Sequence, residues 1–112
     1  MTTAAEMYGS MTVLTVEPAL TRSEGEAFRQ TINEQVRAGG RWFVLDLSKT
    51  ACLDSQGLED LLWFQEQVEI AGGVVKVAAV KGNCREIFEM VRFDKKFEIF
   101  ENVHDAVKSF DQ

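Results

Sequence analysis

The residues best able to do chemistry lie between positions 46 and 58. Asp46-Leu47-Ser48 is followed, after three residues, by Cys52-Leu53-Asp54-Ser55-Gln56-Gly57-Leu58. An apolar run ends at a carboxylate, the chain turns, and a hydroxyl stands where a helical pattern begins. In open α/β sheets the carboxyl ends of strands and the helix starts beside them form the usual site region. A helix N-terminus carries unpaired N–H groups and partial positive charge, so a phosphate placed there is well received. Ser55 is therefore well placed to carry a phosphoryl group, with Asp54 beside it. Either residue can cap the helix. With Asp54 as cap, Ser55 is the first helical residue and its hydroxyl points outward; with Ser55 as cap, the hydroxyl serves the helix. Asp46 either accepts hydrogen bonds from the loop carrying Ser55 or ends the strand, and Ser48 stands beside it as a supporting residue.

Other chemistries lack their parts. Hydrolysis by serine needs an activating base, and the only histidine, His104, has no visible link to Ser55. There is no G-x-S-x-G elbow and no Gly-rich phosphate loop. Cys52 and Cys84 form neither a CxxC pair nor a zinc spacing and are read as small core residues. No cofactor and no metal is expected, and the chain is not read as an enzyme.

Charge narrows the partners. Twelve Lys and Arg stand against eighteen Asp and Glu, a net charge of −6. That disfavours nucleic acid and anionic membranes, and suits a basic partner or simple solubility. No run of 18 apolar residues is present, so no direct membrane insertion is expected. The start of the chain lacks a basic stretch followed by an apolar one, so the reading is cytoplasmic, with reduced thiols.

The elements that position the segment follow from patterning. At 112 residues the chain fits one domain, 1–112, in which residues 1–7 are expected to be flexible. Met11–Val16 is β-branched and reads as a strand stopped by Pro18, with a short extended piece at Ala19-Leu20. Ser23 and Glu26 have the spacing of a capping box, and Phe28, Ile32 and Val36 make one helical stripe ended by Gly39-Gly40. Trp42–Leu47 reads as a strand buried on both faces, as in the centre of a parallel sheet. A long helix runs to about Ala71, and Val74–Val80 is a second buried strand. Asn83 is expected to cap a short helix bearing Cys84, Ile87 and Phe88. Phe97–Phe100 reads as a last strand, and Asn102 as the cap of a final helix with Val103, Ala106, Val107 and Phe110 as its stripe. Alternating strands and helices give an α/β domain.

On the long helix, Leu58, Gly57, Phe64, Val68 and Ala71 lie within about 80° of Leu61 and form the core stripe. Trp63 and Ile70 fall on the opposite side, where they read as a contact patch near Ser55 unless another segment covers them. Gly57 interrupts the first turn, for close packing or for a partner's approach.

Val44-Leu45-Asp46-Leu47-Ser48, followed six residues later by Asp54-Ser55-Gln56-Gly57-Leu58, resembles the STAS domain family, and the resemblance extends over nearly the whole chain. It implies a mixed, mostly parallel sheet of four to five strands packed with about four helices. In the anti-sigma factor antagonist branch, the serine after this aspartate is phosphorylated by an anti-sigma factor with serine kinase activity. The unmodified antagonist binds that factor and the phosphorylated form releases it. The resemblance puts this role on Ser55, with Asp54, Gln56, Gly57, Leu58, Glu59 and Trp63 as the partner-binding surface. A phosphatase is a further partner the cycle allows. An alternative within the family is a subunit that braces the ATPase of a lipid-transporting ABC system. The chain departs from the branch in having Gln56 where many antagonists have a second serine. It also has Glu59-Asp60 where small or apolar residues are common.

The switch has a simple electrostatic reading. Phosphorylation adds about −1.5 to −2 charges beside Asp54, Glu59 and Asp60. Two unit charges ~6 Å apart at an effective dielectric of ~20 repel by roughly 3 kcal/mol. That is about a hundredfold in affinity for a partner bearing a carboxylate against Ser55.

Overall fold

A computed structural model describes residues 2–110. The strands are β1 (Thr2–Tyr8), β2 (Met11–Glu17), β3 (Ala19–Leu20), β4 (Trp42–Asp46), β5 (Cys52–Leu53), β6 (Val74–Ala78) and β7 (Glu98–Phe100). The helices are α1 (Gly25–Arg37), α2 (Ser55–Ile70), α3 (Gly82–Met90) and α4 (Val103–Ser109), with a 3-10 turn at Arg22–Glu24 before α1.

Five strands form one mixed sheet in the order β1-β2-β4-β6-β7. The β1–β2 pair is antiparallel and the others are parallel. β3 and β5 pair in parallel as a separate two-stranded ribbon. This ribbon sets Leu20 beside Leu53, so it fixes the approach to both α1 and α2.

The nearly continuous apolar strands are explained by two coats of unequal thickness. Leu14, Phe43, Leu45, Val75 and Val77 face a large core shared with Phe28 and Ile32 of α1, Leu61, Phe64 and Val68 of α2, and Phe88 of α3. Their alternating neighbours Val13, Val44 and Ala78 face a smaller core under Ala106 of α4. Successive strand residues point to opposite faces, so a strand covered on both sides loses its polar alternation. On the thin side Lys76 reaches Ser109 Oγ at 2.7 Å and lies 4.2 Å from the ring centre of Phe110. Phe110 also stacks on Trp42 at 6.2 Å.

Three sequence expectations are corrected. Thr2–Tyr8, read from the sequence as part of an uncommitted start, is a strand that pairs with β2 from Thr2↔Glu17 to Tyr8↔Met11. Gly9, at φ +65°, makes the tight return that the polar composition hid. Met1 lies outside the described residues. The turn before α1 is set by Thr21 and Glu24, not Ser23 and Glu26: Thr21 N–H donates to Glu24 Oε1 at 2.9 Å. The cap of α3 is Lys81, and Asn83 lies within the helix. Asn102 does cap α4, accepting from Asp105 N–H at 2.8 Å.

Candidate functional site

Asp54 is the N-cap of α2. Its Oδ1 accepts from Gly57 N–H at 2.8 Å and its Oδ2 from Arg22 N–H at 2.9 Å. One carboxylate thus closes the helix start and ties it to the turn before α1. The N–H groups of Gly57 and then Arg22 hold this carboxyl below the usual carboxylate range. Because Asp54 does the capping, Ser55 is the first helical residue, and it is exposed. Of the two capping alternatives, the geometry selects the one that leaves the hydroxyl outward.

Gly57 has a packing reason. A Cβ there would lie 2.1 Å from the backbone oxygen of Leu20 on β3. The first turn of α2 therefore rests directly on the backbone of the ribbon, and only glycine permits that approach. Leu58 is partly buried against the main core. Glu59 is exposed beside Ser55.

Asp60 overturns the expectation of a third surface carboxylate at this helix start. It is fully buried. Its Oδ1 receives Arg29 Nη2 at 2.6 Å, Arg29 Nε at 2.7 Å and Gln56 Nε2 at 3.3 Å. Its Oδ2 is the one buried side-chain polar atom among the described residues without a hydrogen-bond partner. The carboxylate is drawn inside because α1 presents Gly25 to it: a Cβ on Gly25 would lie 2.5 Å from Oδ2. Arg29 in turn lies over the ring of Trp63, 5.5 Å from its centre. Trp63 is accordingly half-buried, covered by a side chain of α1, and does not join the exposed Ile70 in an open patch.

Asp46 accepts from Ser48 N–H at 2.9 Å, which turns the chain out of β4. These two supporting residues thus serve their own bend. An open depression of about 400 Å³ lies between the starts of α1 and α2, lined by Arg22, Gly25, Glu26, Arg29, Gln56 and Asp60. Arg22, Gly25 and Arg29 were not legible as site residues. The partners of Arg22 and Arg29 stand 32 and 31 positions away, Gly25 faces the still more distant Asp60, and no local period links them. The spacing of Gln56 and Asp60, four apart on one helix, was the only signal available.

Among the described residues no group of three or more His, Cys, Asp and Glu is placed to hold a metal ion. No helix there is long and apolar enough to cross a membrane.

Comparison with curated proteins gives no match. Among solved structures, an anti-sigma factor antagonist from Mycobacterium paratuberculosis is 25% identical, with a TM-score of 0.89 over 99% of this chain and 94% of that one. A protein from Thermotoga maritima is 14% identical, with a TM-score of 0.91 over 98% and 95%. The Bacillus cell fate determinant SpoIIAA in its phosphorylated form is 15% identical, with a TM-score of 0.76 over 97% and 99%. The expected sheet and its four helices are those of this fold. The STAS domain family profile matches residues 2–106, and with that match and these folds the chain belongs to the STAS domain family.

Proposed function

We propose that this chain is an anti-sigma factor antagonist, a protein-binding module switched by phosphorylation of Ser55. The observation that carries the reading is the division of labour at the start of α2. Asp54 takes the capping hydrogen bond, and Ser55, exposed and first in the helix, presents its hydroxyl where a helix N-terminus stabilises added negative charge. The likeness to an antagonist from Mycobacterium paratuberculosis supports the same reading.

The unphosphorylated surface around Ser55, Gln56, Leu58 and Glu59 binds the anti-sigma factor, which is also the kinase. It does so in the cytoplasm and without a cofactor on this chain. Phosphate adds charge next to Asp54 and Glu59 and drives the partner away by repulsion. Asp60 takes no part in that repulsion, since it is buried and paired with Arg29. The switch is one of surface charge, with the helix start itself unchanged. The test is incubation with ATP, magnesium and the kinase encoded nearest to this chain, followed by mass mapping. Phosphate on Ser55 in the wild type, and none in Ser55→Ala, is the expected outcome. Robust modification elsewhere with Ser55 untouched sinks the proposal.

A further inference from the structure

The two edges of the sheet are finished differently. β7 is three residues long, carries Glu98 and is packed by α4. β1, at the other edge, runs seven residues in unbroken register with β2. Its residues 4–8 are exposed on both faces, with Met7 68% and Tyr8 48% accessible. Natural edge strands are kept from pairing by shortness, lysine, proline or a bulge. β1 has none of these, and its one charge is engaged locally: Glu6 Oε2 accepts from the Tyr8 hydroxyl at 3.0 Å. The two-residue turn Gly9-Ser10 decides which backbone groups face outward. The closing pair of such a hairpin, here Tyr8↔Met11, is hydrogen-bonded, and bonded pairs then alternate along the strand. Ala4, Glu6 and Tyr8 therefore spend their N–H and C=O groups on β2. Ala5 and Met7 turn theirs to the outer edge, where no strand lies among the described residues.

We propose that this edge pairs with β1 of a second copy of the chain, antiparallel about a two-fold axis at Ala5, and joins the two sheets into one. Ala5 is the middle residue of β1, so this register overlaps the whole strand. It sets Ala5 against Ala5 of the second copy, with their outward N–H and C=O groups exchanged, and Glu6 against Ala4. A slip of two residues would set Glu6 against Glu6, and like charges directly opposite are destabilising. The strand is thus complementary to itself in one register, which favours a second copy over an unrelated chain. Pairing stops at the dimer, because it uses both long edges and leaves only the short β7 outside. One strand against one strand is a small contact, and each chain carries −6, so the association is weak and is helped by salt. The start of α2 lies toward the Thr2 end of β1, because β2 ends opposite Thr2, β3 follows, and α2 rests on β3. The two-fold therefore sends the two Ser55 surfaces to opposite ends of the joined sheet.

The test is sedimentation equilibrium of the full chain from about 10 μM to about 1 mM, the range for a small contact. The expected mass rises with concentration from one chain toward two and no further. Ala5→Pro removes only an outward N–H, which an edge strand tolerates, so it should keep the wild-type circular dichroism and stay at the mass of one chain. Ala4→Lys places a lysine opposite Glu6 at two symmetric positions and should tighten the dimer by about fivefold, while Ala4→Glu should weaken it by about as much. A wild type that keeps the mass of one chain throughout overturns the proposal and leaves the edge to a different chain. Growth beyond two chains, or a folded Ala5→Pro that associates like the wild type, overturns it as well. If Ala5→Pro does not fold, the Ala4 variants decide, and equal association of Ala4→Lys and Ala4→Glu overturns it. The pairing needs no kinase, so its failure and the failure of Ser55 phosphorylation are separate results.

Discussion

Arg29 of α1 and Asp60 of α2 form a one-sided ion pair: the guanidinium reaches Asp60 Oδ1 through Nη2 at 2.6 Å and Nε at 2.7 Å, and leaves Oδ2 bare. The arginine is 44% exposed and the aspartate fully buried. Removing the exposed partner therefore strands a charge inside. Arg29→Ala should destabilise the fold by about 2–4 kcal/mol, below the usual range for a fully buried pair because solvent reaches the arginine. Arg29→Leu combined with Asp60→Leu should recover most of that loss. Urea denaturation of the three proteins checks both statements, and a double variant as unstable as Arg29→Ala would contradict the second.

Gly57→Ala opposes two effects. Alanine gains roughly 1 kcal/mol in helix propensity. Its methyl group would meet the Leu20 backbone oxygen at 2.1 Å, a contact that only displacement of α2 or β3 relieves. Overpacking of this kind costs about 1–3 kcal/mol or more, so a net loss of stability is expected. A thermal midpoint at or above that of the wild type would show that the ribbon yields freely.

The cap and the acceptor should separate by mutation. Asp54→Ala removes the bond to Gly57 and the tie to Arg22 together, and should lower the denaturation midpoint. Ser55→Ala should leave the midpoint nearly unchanged, because its hydroxyl does not serve the helix. Equal losses in the two variants would mean that the hydroxyl shares the cap.

Acid should act through the same carboxylate. The Asp54 pKa is lowered in the folded state, chiefly by the Gly57 N–H. Glu24 is lowered too, chiefly by the Ser23 hydroxyl and then by Thr21. A depressed pKa means that the unfolded state binds the proton first. The stabilisation is therefore fully present above the ordinary carboxylate pKa of about 4 and is lost as pH falls through the lower folded value. Asp54→Asn should flatten the acid limb of a stability profile measured between neutral pH and about pH 2. An unchanged slope would place the acid sensitivity elsewhere.

Ser55→Asp should weaken binding to the anti-sigma factor by about a hundredfold, the repulsion of one added charge ~6 Å from a partner carboxylate. Raised salt should shrink the difference, because an exposed charge is screened. Calorimetry at two ionic strengths reads both effects, and unchanged affinity for Ser55→Asp would remove the charge switch.

The sequence made the strands, the helices and the Asp54-Ser55 turn legible because each rests on a local pattern. Phe28, Ile32 and Val36 repeat at helical spacing, and Trp42–Leu47 is apolar on both faces. β1 was not legible, because Thr2–Tyr8 is an edge strand whose residues 4–8 are exposed and carry no apolar alternation. Asp60 was misread for a different reason. A carboxylate one turn into a helix looks like a surface charge until the helix opposite supplies Arg29 for pairing and Gly25 for room. Trp63 followed the same logic, since its cover comes from that same arginine. Both depend on how α1 crosses α2, which no single stretch of sequence encodes.

The unequal coats of the sheet give the molecule an order of opening. On one face three helices share a core built around Phe28, Phe43, Phe64 and Phe88. On the other, a seven-residue helix is held by Ala106 and its apolar neighbours, the Lys76–Ser109 bond and the Phe110 ring. Local unfolding starts where buried apolar contact is least. Amide hydrogens of α4 should therefore exchange with solvent well before those of α2, and limited proteolysis should cut first near the C-terminal helix. The turn bearing Ser55 belongs to the slow-exchanging half, so a kinase meets it as a standing surface, already folded, rather than as a segment it must first coax open.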